Sequence, residues 1–597
     1  MRQARSVTIQ RRHNMPFGAQ LEDSGEVRFR LWAPKARRVD LCLHMDHGEM
    51  ILPMAAEDHG WFSLRTAQAI AGSRYRFGID GRVRVPDPAS RFQPADVHGP
   101  SEVIDPTSWE WQDIDWQGRP WEQAVIYELH VGTFTRSGTF TAVRERLDYL
   151  VDLGVTAIEL MPVADFPGGR NWGYDGVLPF APDGRYGRPE DLKALIAAAH
   201  SKRLMVLLDV VYNHFGPEGN YLHHYAPQFF SGHKTTPWGA AINFDGAGSR
   251  VVRDFFIHNA LYWLEEFHFD GLRFDAVHAI FDRSQPHILQ ELAEHVANGP
   301  GAQRHVHLVL ENGRQLDRRL LRAGPARGYA AQWHDGVHHA LHVLLTGETG
   351  GYYAEYAWLP AREVGRCLTG QADALPPTAF VSFLQNHDQV GNRARGERIT
   401  ALAPASAVKA AAAILLLAPS PPLLFMGEEW AAPQSFAFFC DFAADLAAAV
   451  AAGRRLEFAR FAEFSDPDIP DPNTAETFEQ AILDWGMVTC DPHAQWLRFH
   501  RELLQLRACE IVPRLVNMPA GGARFALLSD RALQAEWRLG DGARLTLLAN
   551  LAPDPVAGPD TLPPGRVLYT WNVAATELTN RPMPAWSVAW FLNPVSH

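Results

Sequence analysis

Hydrophobic and polar positions alternate along the first hundred residues of the chain. In the run 27–32, Val, Phe and Leu alternate with two arginines, and the run 39–42 repeats the pattern. The runs 75–79 and 83–85 flank Asp80-Gly81, a dipeptide typical of tight hairpin turns. A period of two places alternate side chains on opposite faces of a strand. The pattern therefore predicts an N-terminal β-sandwich over residues 1–107.

From about residue 121 the pattern changes to short apolar runs separated by stretches in which apolar residues recur every three or four positions. Such spacing is typical of strands that alternate with amphipathic helices. The eight predicted strands are 125–131, 157–163, 204–211, 271–277, 307–311, 329–333, 380–387 and 422–428. Eight strand–helix units in succession predict an α/β protein with a (β/α)8 TIM barrel over residues 108–512.

Two further regions have a distinct pattern. The connection after the third predicted strand, 213–250, is long and rich in Gly, Pro, His and aromatic residues. Loops of this length often carry function, so we expect a short inserted subdomain over the mouth of the barrel. Strict alternation returns in the runs 533–539, 543–551 and 586–592, which predict a C-terminal β-sandwich over 513–597.

Composition narrows the class of protein. The 597 residues carry a formal net charge of −13, which argues against a nucleic-acid or anionic-membrane partner. Five widely spaced cysteines favour reduced thiols over a disulfide frame or a zinc site. Residues 1–14 lack the apolar core of a signal peptide, and the most apolar stretch, 410–426, is too short and too interrupted by prolines to span a bilayer. We therefore expect a cytoplasmic protein, of unknown oligomeric state.

The segment 271–278, Gly-Leu-Arg-Phe-Asp-Ala-Val-His, places two charges in an apolar strand. Residues two apart share a face of a strand, so Arg273 and Asp275 should point the same way. A charged pair on the inner face of such a strand is unfavourable unless its charges are matched and used. Taken alone, the pair could be a purely structural ion pair.

Other acids follow predicted strands at the same relative position. Asp209 ends the third predicted strand, Asp275 the fourth, Glu311 the fifth, and His387-Asp388 the seventh. In a TIM barrel the carboxyl ends of all the strands meet at one face, where such enzymes have their active sites. A single acid there would be explained by a helix cap or a loop salt bridge. Several acids and histidines on successive strand ends favour catalysis.

Paired carboxylates indicate a particular chemistry. Hydrolysis of a glycosidic bond needs one ionised and one protonated carboxyl group. Arg273 beside Asp275 would favour the charged form and mark Asp275 as the nucleophile. Glu311 has the apolar neighbours Leu308 and Leu310 on its strand and is the better candidate for the acid. In a retaining enzyme the two carboxyl groups should be ~5–5.5 Å apart.

Four segments resemble the signature regions of the α-amylase superfamily of glycoside hydrolases. They are Asp-Val-Val-Tyr-Asn-His at 209–214, Gly-Leu-Arg-Phe-Asp at 271–275, Glu311 after an apolar run, and Asn-His-Asp at 386–388. The resemblance implies a retaining mechanism with Asp275 as nucleophile, Glu311 as general acid/base and Asp388 as transition-state stabiliser. It implies no metal or organic cofactor. A structural calcium near Asn213, found in some relatives, is possible, but the sequence offers no further ligand set.

The same resemblance implies the residues that contact substrate. Arg273, His214 and His387 match residues around the cleaved bond, Asp209 matches an acid that organises the site, and Tyr174 matches an aromatic that stacks on the sugar. The loops 334–342 and 387–393 are expected to bind the other side of the substrate. The full set of expected substrate-binding residues is Tyr174, Asp209, His214, Arg273, His278, His334, Asp335, His338, His339, His387, Gln389, Asn392 and Arg393. For His338, His339 and His342, ordinary positions on a helix face remain an alternative.

Further segments narrow the resemblance within the superfamily. The run 29–34 is similar to a glycan-binding-like module that precedes branching, debranching and trehalose-forming members. The runs 332–342, 425–430, 438–442 and 478–485 are similar to those of malto-oligosyltrehalose trehalohydrolases. This implies hydrolysis of the α-1,4 bond next to the terminal trehalose of malto-oligosyltrehalose, with trehalose and a malto-oligosaccharide as products. Gly313 departs from the pattern, since a polar or acidic residue is expected there.

Two other functions remain open at this point. A glucan branching enzyme would share the same acids and N-terminal module, and acceptor choice cannot be derived from the residues alone. A non-catalytic glucan-binding protein on the same scaffold is the third possibility. The presence of all three acids, Asp275, Glu311 and Asp388, argues against it.

Overall fold

A computed structural model of the chain describes residues 12–313, 328–370, 375–458, 469–578 and 581–595. The N-terminal part is the predicted β-sandwich. Its strands are β1 (Gly18–Leu21), β2 (Val27–Trp32), β3 (Val39–Met45), β4 (Gly48–Pro53), β5 (Ala55–Ala56), β6 (Trp61–Thr66), β7 (Arg74–Ile79), β8 (Val83–Val85) and β9 (Ser101–Glu102). One sheet has the order β1-β2-β6-β5, and the other has the order β4-β3-β7-β8 with β9 paired to β7. The predicted hairpin is confirmed, because β7 and β8 pair antiparallel across Asp80-Gly81.

The central part of the chain contains the predicted closed barrel. The strands of this part are β10 (Ile126–Leu129), β11 (Ala157–Leu160), β12 (Ala164–Asp165), β13 (Leu178–Pro182), β14 (Met205–Val210), β15 (Phe230–Thr236), β16 (Gly239–Ile242), β17 (Gly271–Phe274), β18 (His307–Leu310), β19 (Ala331–Trp333), β20 (Phe380–Phe383) and β21 (Pro422–Phe425). Eight of them close in the order β10-β11-β14-β17-β18-β19-β20-β21, and β12–β13 and β15–β16 form separate hairpins.

The barrel strands are shorter than predicted at their carboxyl ends. β17 ends at Phe274 and β18 at Leu310, so Asp275 and Glu311 come directly after their strands. Every residue of these two strands is buried, because side chains alternate between the barrel interior and the surrounding helices. This explains why the strands appear in the sequence as continuous apolar runs.

Helices connect the strands and surround the barrel. They are α1 (Val131–Phe134), α2 (Phe140–Arg144), α3 (Leu147–Leu153), α4 (Pro189–Ser201), α5 (Leu222–Tyr225), α6 (Ser249–Glu265), α7 (Ile288–Asn298), α8 (Asp335–Thr346), α9 (Pro360–Thr369), α10 (His387–Gly391), α11 (Ile399–Leu402), α12 (Ala405–Leu417), α13 (Ala444–Phe458), α14 (Ala475–Gln480) and α15 (His493–Leu506). Within the described ranges, no helix is long and apolar enough to cross a membrane. The apolar stretch 410–426 divides into the end of α12, a proline turn and β21.

The C-terminal part differs from the predicted two-sheet sandwich. Its strands, β22 (Ala523–Ser529), β23 (Ala532–Arg538), β24 (Arg544–Asn550), β25 (Arg566–Trp571) and β26 (Ser587–Asn593), form a single antiparallel sheet. Helices α9 and α12 pack on this sheet, and the indoles of Trp537 and Trp590 donate hydrogen bonds to backbone carbonyls of these two helices. A second sheet is unnecessary because the barrel helices already supply an apolar layer.

Candidate active site

The predicted acids converge at the carboxyl end of the barrel. Asp209 is the fifth residue of β14, Asp275 and Glu311 follow β17 and β18, and Asp388 lies in the first turn of α10, after β20. The parallel register aligns Asp209 with Arg273 and Phe274 with Leu310. These acids therefore lie at one level of the barrel and face one cavity.

Arg273 connects three of the acids. Its side chain is fully buried, and Nη1 lies 2.5 Å from Asp209 Oδ2 and 3.0 Å from Asp275 Oδ1. Nη2 lies 3.9 Å from Glu311 Oε2. The guanidinium also stacks over the indole of Trp333, 4.1 Å from the ring centroid. One cation shared among three carboxyl groups cannot neutralise all of them, so this arrangement is more than a structural ion pair.

Asp275 is positioned as a hydrogen-bonded carboxylate. Besides the contact with Arg273, its Oδ2 accepts a hydrogen bond of 2.9 Å from Nδ2 of Asn213. The same amide group donates to the backbone carbonyl of Asp275, which fixes the orientation of the residue. A cationic donor and an amide donor therefore hold the two carboxylate oxygens in place, as the orientation of a nucleophile requires.

Glu311 has the opposite electrostatic surroundings. Burial raises the pKa of its carboxyl group, Arg273 opposes that rise, and the charges of Asp275 and Asp388 add to it. Its Oε2 accepts a hydrogen bond of 2.5 Å from the amide of Ala276. Ala276 has a positive φ of 40°, a conformation that L-residues rarely adopt. The residue next to the nucleophile thus orients the acid, and Glu311 retains its proton to higher pH than an exposed glutamate.

Tyr174, Asp209 and His387 form a second hydrogen-bonded group. The Tyr174 hydroxyl lies 2.6 Å from Asp209 Oδ2 and 2.8 Å from His387 Nε2, and its ring stacks on the imidazole at 5.0 Å. Burial by itself would lower the pKa of His387, but Asp388 and the buried Glu128 raise it to about 9. His387 is therefore an imidazolium at neutral pH, and its two ring nitrogens contact Glu128 and the Tyr174 hydroxyl.

Asp388 is the most open of the three expected catalytic acids. Its side chain is 40% exposed and lies 3.5 Å from Nε2 of His387. Asn392, one helical turn later, donates a hydrogen bond of 3.1 Å to its Oδ1. Its charge contributes to raising the pKa of both Tyr174 and Glu311.

Three other expected residues border this cavity. The imidazole of His214 stacks on Trp238 at 5.6 Å, and its pKa is lowered by burial in spite of Asp275. His278 is exposed, and its charge lowers the pKa of Glu311. Asp335 accepts a hydrogen bond of 3.3 Å from Gln389, and burial, with Glu311 and Asp388, raises the pKa of Asp335 to about 8.

The remaining expected residues make packing contacts outside this group. His338 is buried, and its Nδ1–H donates to the carbonyl of Leu384. The ring of His334 packs on Phe380 at 4.8 Å. His339 packs on Tyr353 and Tyr356, and Arg393 forms hydrogen bonds with Glu348. For His338 and His339, these contacts fit the helix-face alternative that the sequence left open, and so does that of His342, whose ring stacks on Tyr353 at 4.1 Å.

Three residues of the site were not predicted from the sequence. Glu128 on β10 holds His387 through both the backbone amide and the ring, Asn213 holds Asp275, and Trp333 supports Arg273. A charge in the apolar run Ile-Tyr-Glu-Leu of β10 is the same signal that identified Arg273 and could have identified Glu128. Trp333 has no such signal, since a tryptophan in an apolar strand is ordinary core.

A calcium ion near Asn213 would need about six to eight oxygen ligands. Within the ranges that the structure describes, no group of three or more His, Cys, Asp or Glu side chains could hold a metal ion. Near Asn213, the amide group is already used by Asp275 and its oxygen contacts His214.

Three family models match the chain. The catalytic domain of α-amylase matches residues 108–260, carbohydrate-binding module 48 (the isoamylase N-terminal domain) matches 16–99, and a C-terminal domain of unknown function matches 520–590.

Curated relatives cover most of the chain. The malto-oligosyltrehalose trehalohydrolase of Saccharolobus solfataricus is 41% identical over 83% of this chain and 87% of its own length. The malto-oligosyltrehalose trehalohydrolase of Mycobacterium tuberculosis is 38% identical over 94% of this chain and 98% of its own length. A 1,4-α-glucan branching enzyme of Vibrio cholerae is 34% identical over 48% of this chain and 41% of its own.

Solved structures share the whole architecture. A structure described as a putative α-amylase from Salmonella typhimurium is 42% identical, with a TM-score of 0.89 over 97% of this chain and 99% of its own. A pullulanase from Paenibacillus barengoltzii, solved with maltohexaose and α-cyclodextrin, has a TM-score of 0.72 over 98% and 96%. At 20% identity, the second structure supports the fold alone.

Proposed function

The chain belongs to the malto-oligosyltrehalose trehalohydrolase family of the α-amylase superfamily, and from this membership we propose that it releases trehalose from malto-oligosyltrehalose. The bond cleaved is the α-1,4 linkage between the terminal trehalose and the malto-oligosyl chain. The second product is a malto-oligosaccharide. Retention of configuration follows if the nucleophile is a protein carboxylate.

The first step forms a glycosyl–enzyme intermediate. Asp275 attacks the anomeric carbon of the malto-oligosyl unit while Glu311 donates its proton to the glycosidic oxygen, and trehalose leaves with that proton. Asp388, exposed beside His387, stabilises the positive charge that develops on the sugar ring. His387 and the ring of Tyr174 position the sugar at the cleaved bond.

The second step returns the enzyme to its starting state. Glu311, now ionised, takes a proton from water, and the water oxygen bonds to the anomeric carbon as the bond to Asp275 breaks. The malto-oligosaccharide leaves, Asp275 is again a carboxylate and Glu311 is again protonated. The observation that carries the proposal is the unequal sharing of Arg273, which lies 3.0 Å from Asp275 but 3.9 Å from Glu311.

His214 is proposed to contact the sugar at the cleaved bond, as are Arg273 and His387. The other expected residues are proposed to act further from that bond, where His278, Asp335, Gln389 and Asn392 can contact substrate hydroxyls. We propose that His334, His338, His339 and Arg393 act on the trehalose side by holding α8 and the turn after it, where they pack. The domain limits 1–107, 108–512 and 513–597 are part of the same proposal.

Product analysis tests the function. The purified full-length chain is incubated separately with maltotriosyltrehalose and with a plain maltodextrin, and the products are separated by chromatography. We expect free trehalose and maltotriose from the first substrate and much slower hydrolysis of the second. Altered iodine staining of amylose without trehalose release would instead indicate a branching enzyme. If the folded chain carries out neither reaction, the proposal that it is an enzyme is contradicted.

A further inference from the structure

Two aromatic side chains of the N-terminal sandwich, Phe17 and Trp32, pack against the barrel. The large exposed hydrophobic residues in the described part of the sandwich are Met45, Ile51 and Ile70, none of them aromatic. Phe17 packs edge-on against Phe255 of helix α6 at 5.3 Å. Sugar-binding surfaces use exposed aromatic faces, whereas these rings are part of an internal interface. The contacts point to a mechanical role toward the barrel.

Trp32, at the end of β2, is the centre of one such contact. It is 5% exposed, and its indole N–H donates a hydrogen bond of 3.0 Å to the carbonyl of His59, which fixes the ring. The ring lies 5.7 Å from that of Phe229 and against Gly248, where an added Cβ would be 3.4 Å from the indole. Both contacted residues belong to the segment 213–248, named here the mouth loop.

The mouth loop carries two side chains of the site. His214 lies near its start, and Trp238, at the turn of the β15–β16 hairpin, stacks on His214. Phe229, directly before β15, packs on Phe215, directly after His214, at 6.3 Å. A two-stranded hairpin is marginally stable by itself, so it depends on what supports it. The rings of Trp32, Phe229 and Phe215 pack in series. They connect the sandwich to the start of the β15–β16 hairpin and to the residue next to His214.

A second contact fixes the middle of the mouth loop. His98 of the sandwich makes a hydrogen bond of 2.7 Å with the Tyr221 hydroxyl, and its other ring nitrogen lies 3.4 Å from Glu218. Val97 packs so closely on Gly219 that a Cβ added there would be 2.5 Å from it. The sandwich thus contacts the mouth loop at two separated places, both on the side away from the barrel strands.

We propose that the N-terminal sandwich braces the mouth loop over the catalytic acids, with Trp32 as a positioning residue for His214 and Trp238. The expected change in KM rests on the proposed function, but the support of the mouth loop by the sandwich does not depend on the substrate. Without the indole, the mouth loop populates displaced arrangements in which His214 and Trp238 do not meet the sugar. Apparent affinity then falls in proportion to the competent fraction, so KM rises while kcat is retained. General destabilisation would instead remove active enzyme and lower kcat at constant KM.

The experiment compares Trp32→Ala with Phe77→Leu in the full chain. Phe77 is the control, because it lies in the other sheet of the same sandwich and packs on Tyr75 inside it. We expect Trp32→Ala to raise KM for maltotriosyltrehalose and to speed tryptic cleavage after Lys234 of the hairpin, each about tenfold for the loss of one aromatic contact. Phe77→Leu should change neither quantity, and Trp32→Phe should restore both. Phe229→Leu, which removes the same contact from the loop side, should reproduce the effect.

Clear outcomes would overturn the proposal. Wild-type KM and proteolysis in both Trp32→Ala and Phe229→Leu would refute it, as would equal changes in Phe77→Leu. If Trp32→Ala does not fold, Phe229→Leu decides. If even the wild-type chain releases no trehalose, the proposed function fails, and the tryptic cleavage rates alone still decide whether the sandwich braces the loop.

Discussion

Replacing Glu311 with Gln should remove the proton donor while leaving its surroundings intact. Glutamine has nearly the same shape, and its carbonyl can still accept the hydrogen bond from the Ala276 amide. General acid catalysis contributes ~10²–10⁴-fold, so the loss on malto-oligosyltrehalose should be about a thousandfold, equivalent to about 4 kcal/mol of transition-state stabilisation. The variant should retain the melting temperature of the wild type, since one buried polar group replaces another.

The leaving group provides the decisive assay. A malto-oligosyl fluoride needs no proton for fluoride to depart, so Glu311→Gln should form the intermediate from it at a rate close to wild type. Breakdown of the intermediate needs a base, and azide, which needs none, should restore turnover and yield a glycosyl azide. Asp275→Asn is the matched control, because without the carboxylate the intermediate cannot form: the fluoride alone should not rescue it, and any glycosyl azide should have inverted rather than retained configuration.

The pH profile gives an independent check. The acid must be protonated, so wild-type kcat/KM should fall as the pH rises through the elevated pKa of Glu311. This alkaline limb should disappear in Glu311→Gln with the fluoride substrate. Substantial activity of the variant on malto-oligosyltrehalose, or a folded variant that the fluoride fails to rescue, would refute the assignment.

Three other changes test particular contacts. Glu128→Gln should lower the pKa of His387 from about 9, because the paired carboxylate is lost, and an NMR titration of the imidazole should show this; an unchanged pKa would contradict the role of Glu128. Asp113 contacts two buried histidines, which hold its pKa well below the usual value. The stability that the ionised carboxylate contributes is therefore lost as the pH falls. Asp113→Asn should lower the melting temperature at pH 7 and flatten the decline of the melting temperature below pH 4. Gly391→Ala would bring Cβ to 2.0 Å from Trp172 and should lower both stability and kcat/KM, by thermal melting and steady-state assay.

The unequal electrostatics of the two central acids come from the fold rather than from the residue types. Aspartate and glutamate have similar pKa values in water. Here Asp275 receives donors from Arg273 and Asn213, whereas Glu311 is buried and has only a distant contact with the same cation. The division of roles between nucleophile and acid therefore depends on the difference between a distance of 3.0 Å and one of 3.9 Å to the same guanidinium. Changes that move Arg273, such as loss of the Trp333 ring beneath it, should affect both roles together.

The sequence alone determined the barrel, the N-terminal sandwich and the acids at the strand ends. These features are local: strand periodicity records which face is buried, and a charge within an apolar run is conspicuous wherever it occurs. The predicted strands were too long at their carboxyl ends, because apolar residues continue past the last backbone pairing into the turns that carry Asp275 and Glu311.

Other features were decided only by the tertiary structure. The C-terminal strands form one sheet rather than two, because helices from the barrel cover it, and no local pattern records which distant element supplies that cover. Likewise, Glu128 and His387 are 259 positions apart, and only closure of the barrel brings them together. Side-chain periodicity shows which face of an element is buried, but not which other element covers that face. The covering element depends on contacts between residues far apart in the chain, and so does the charge state of each buried acid.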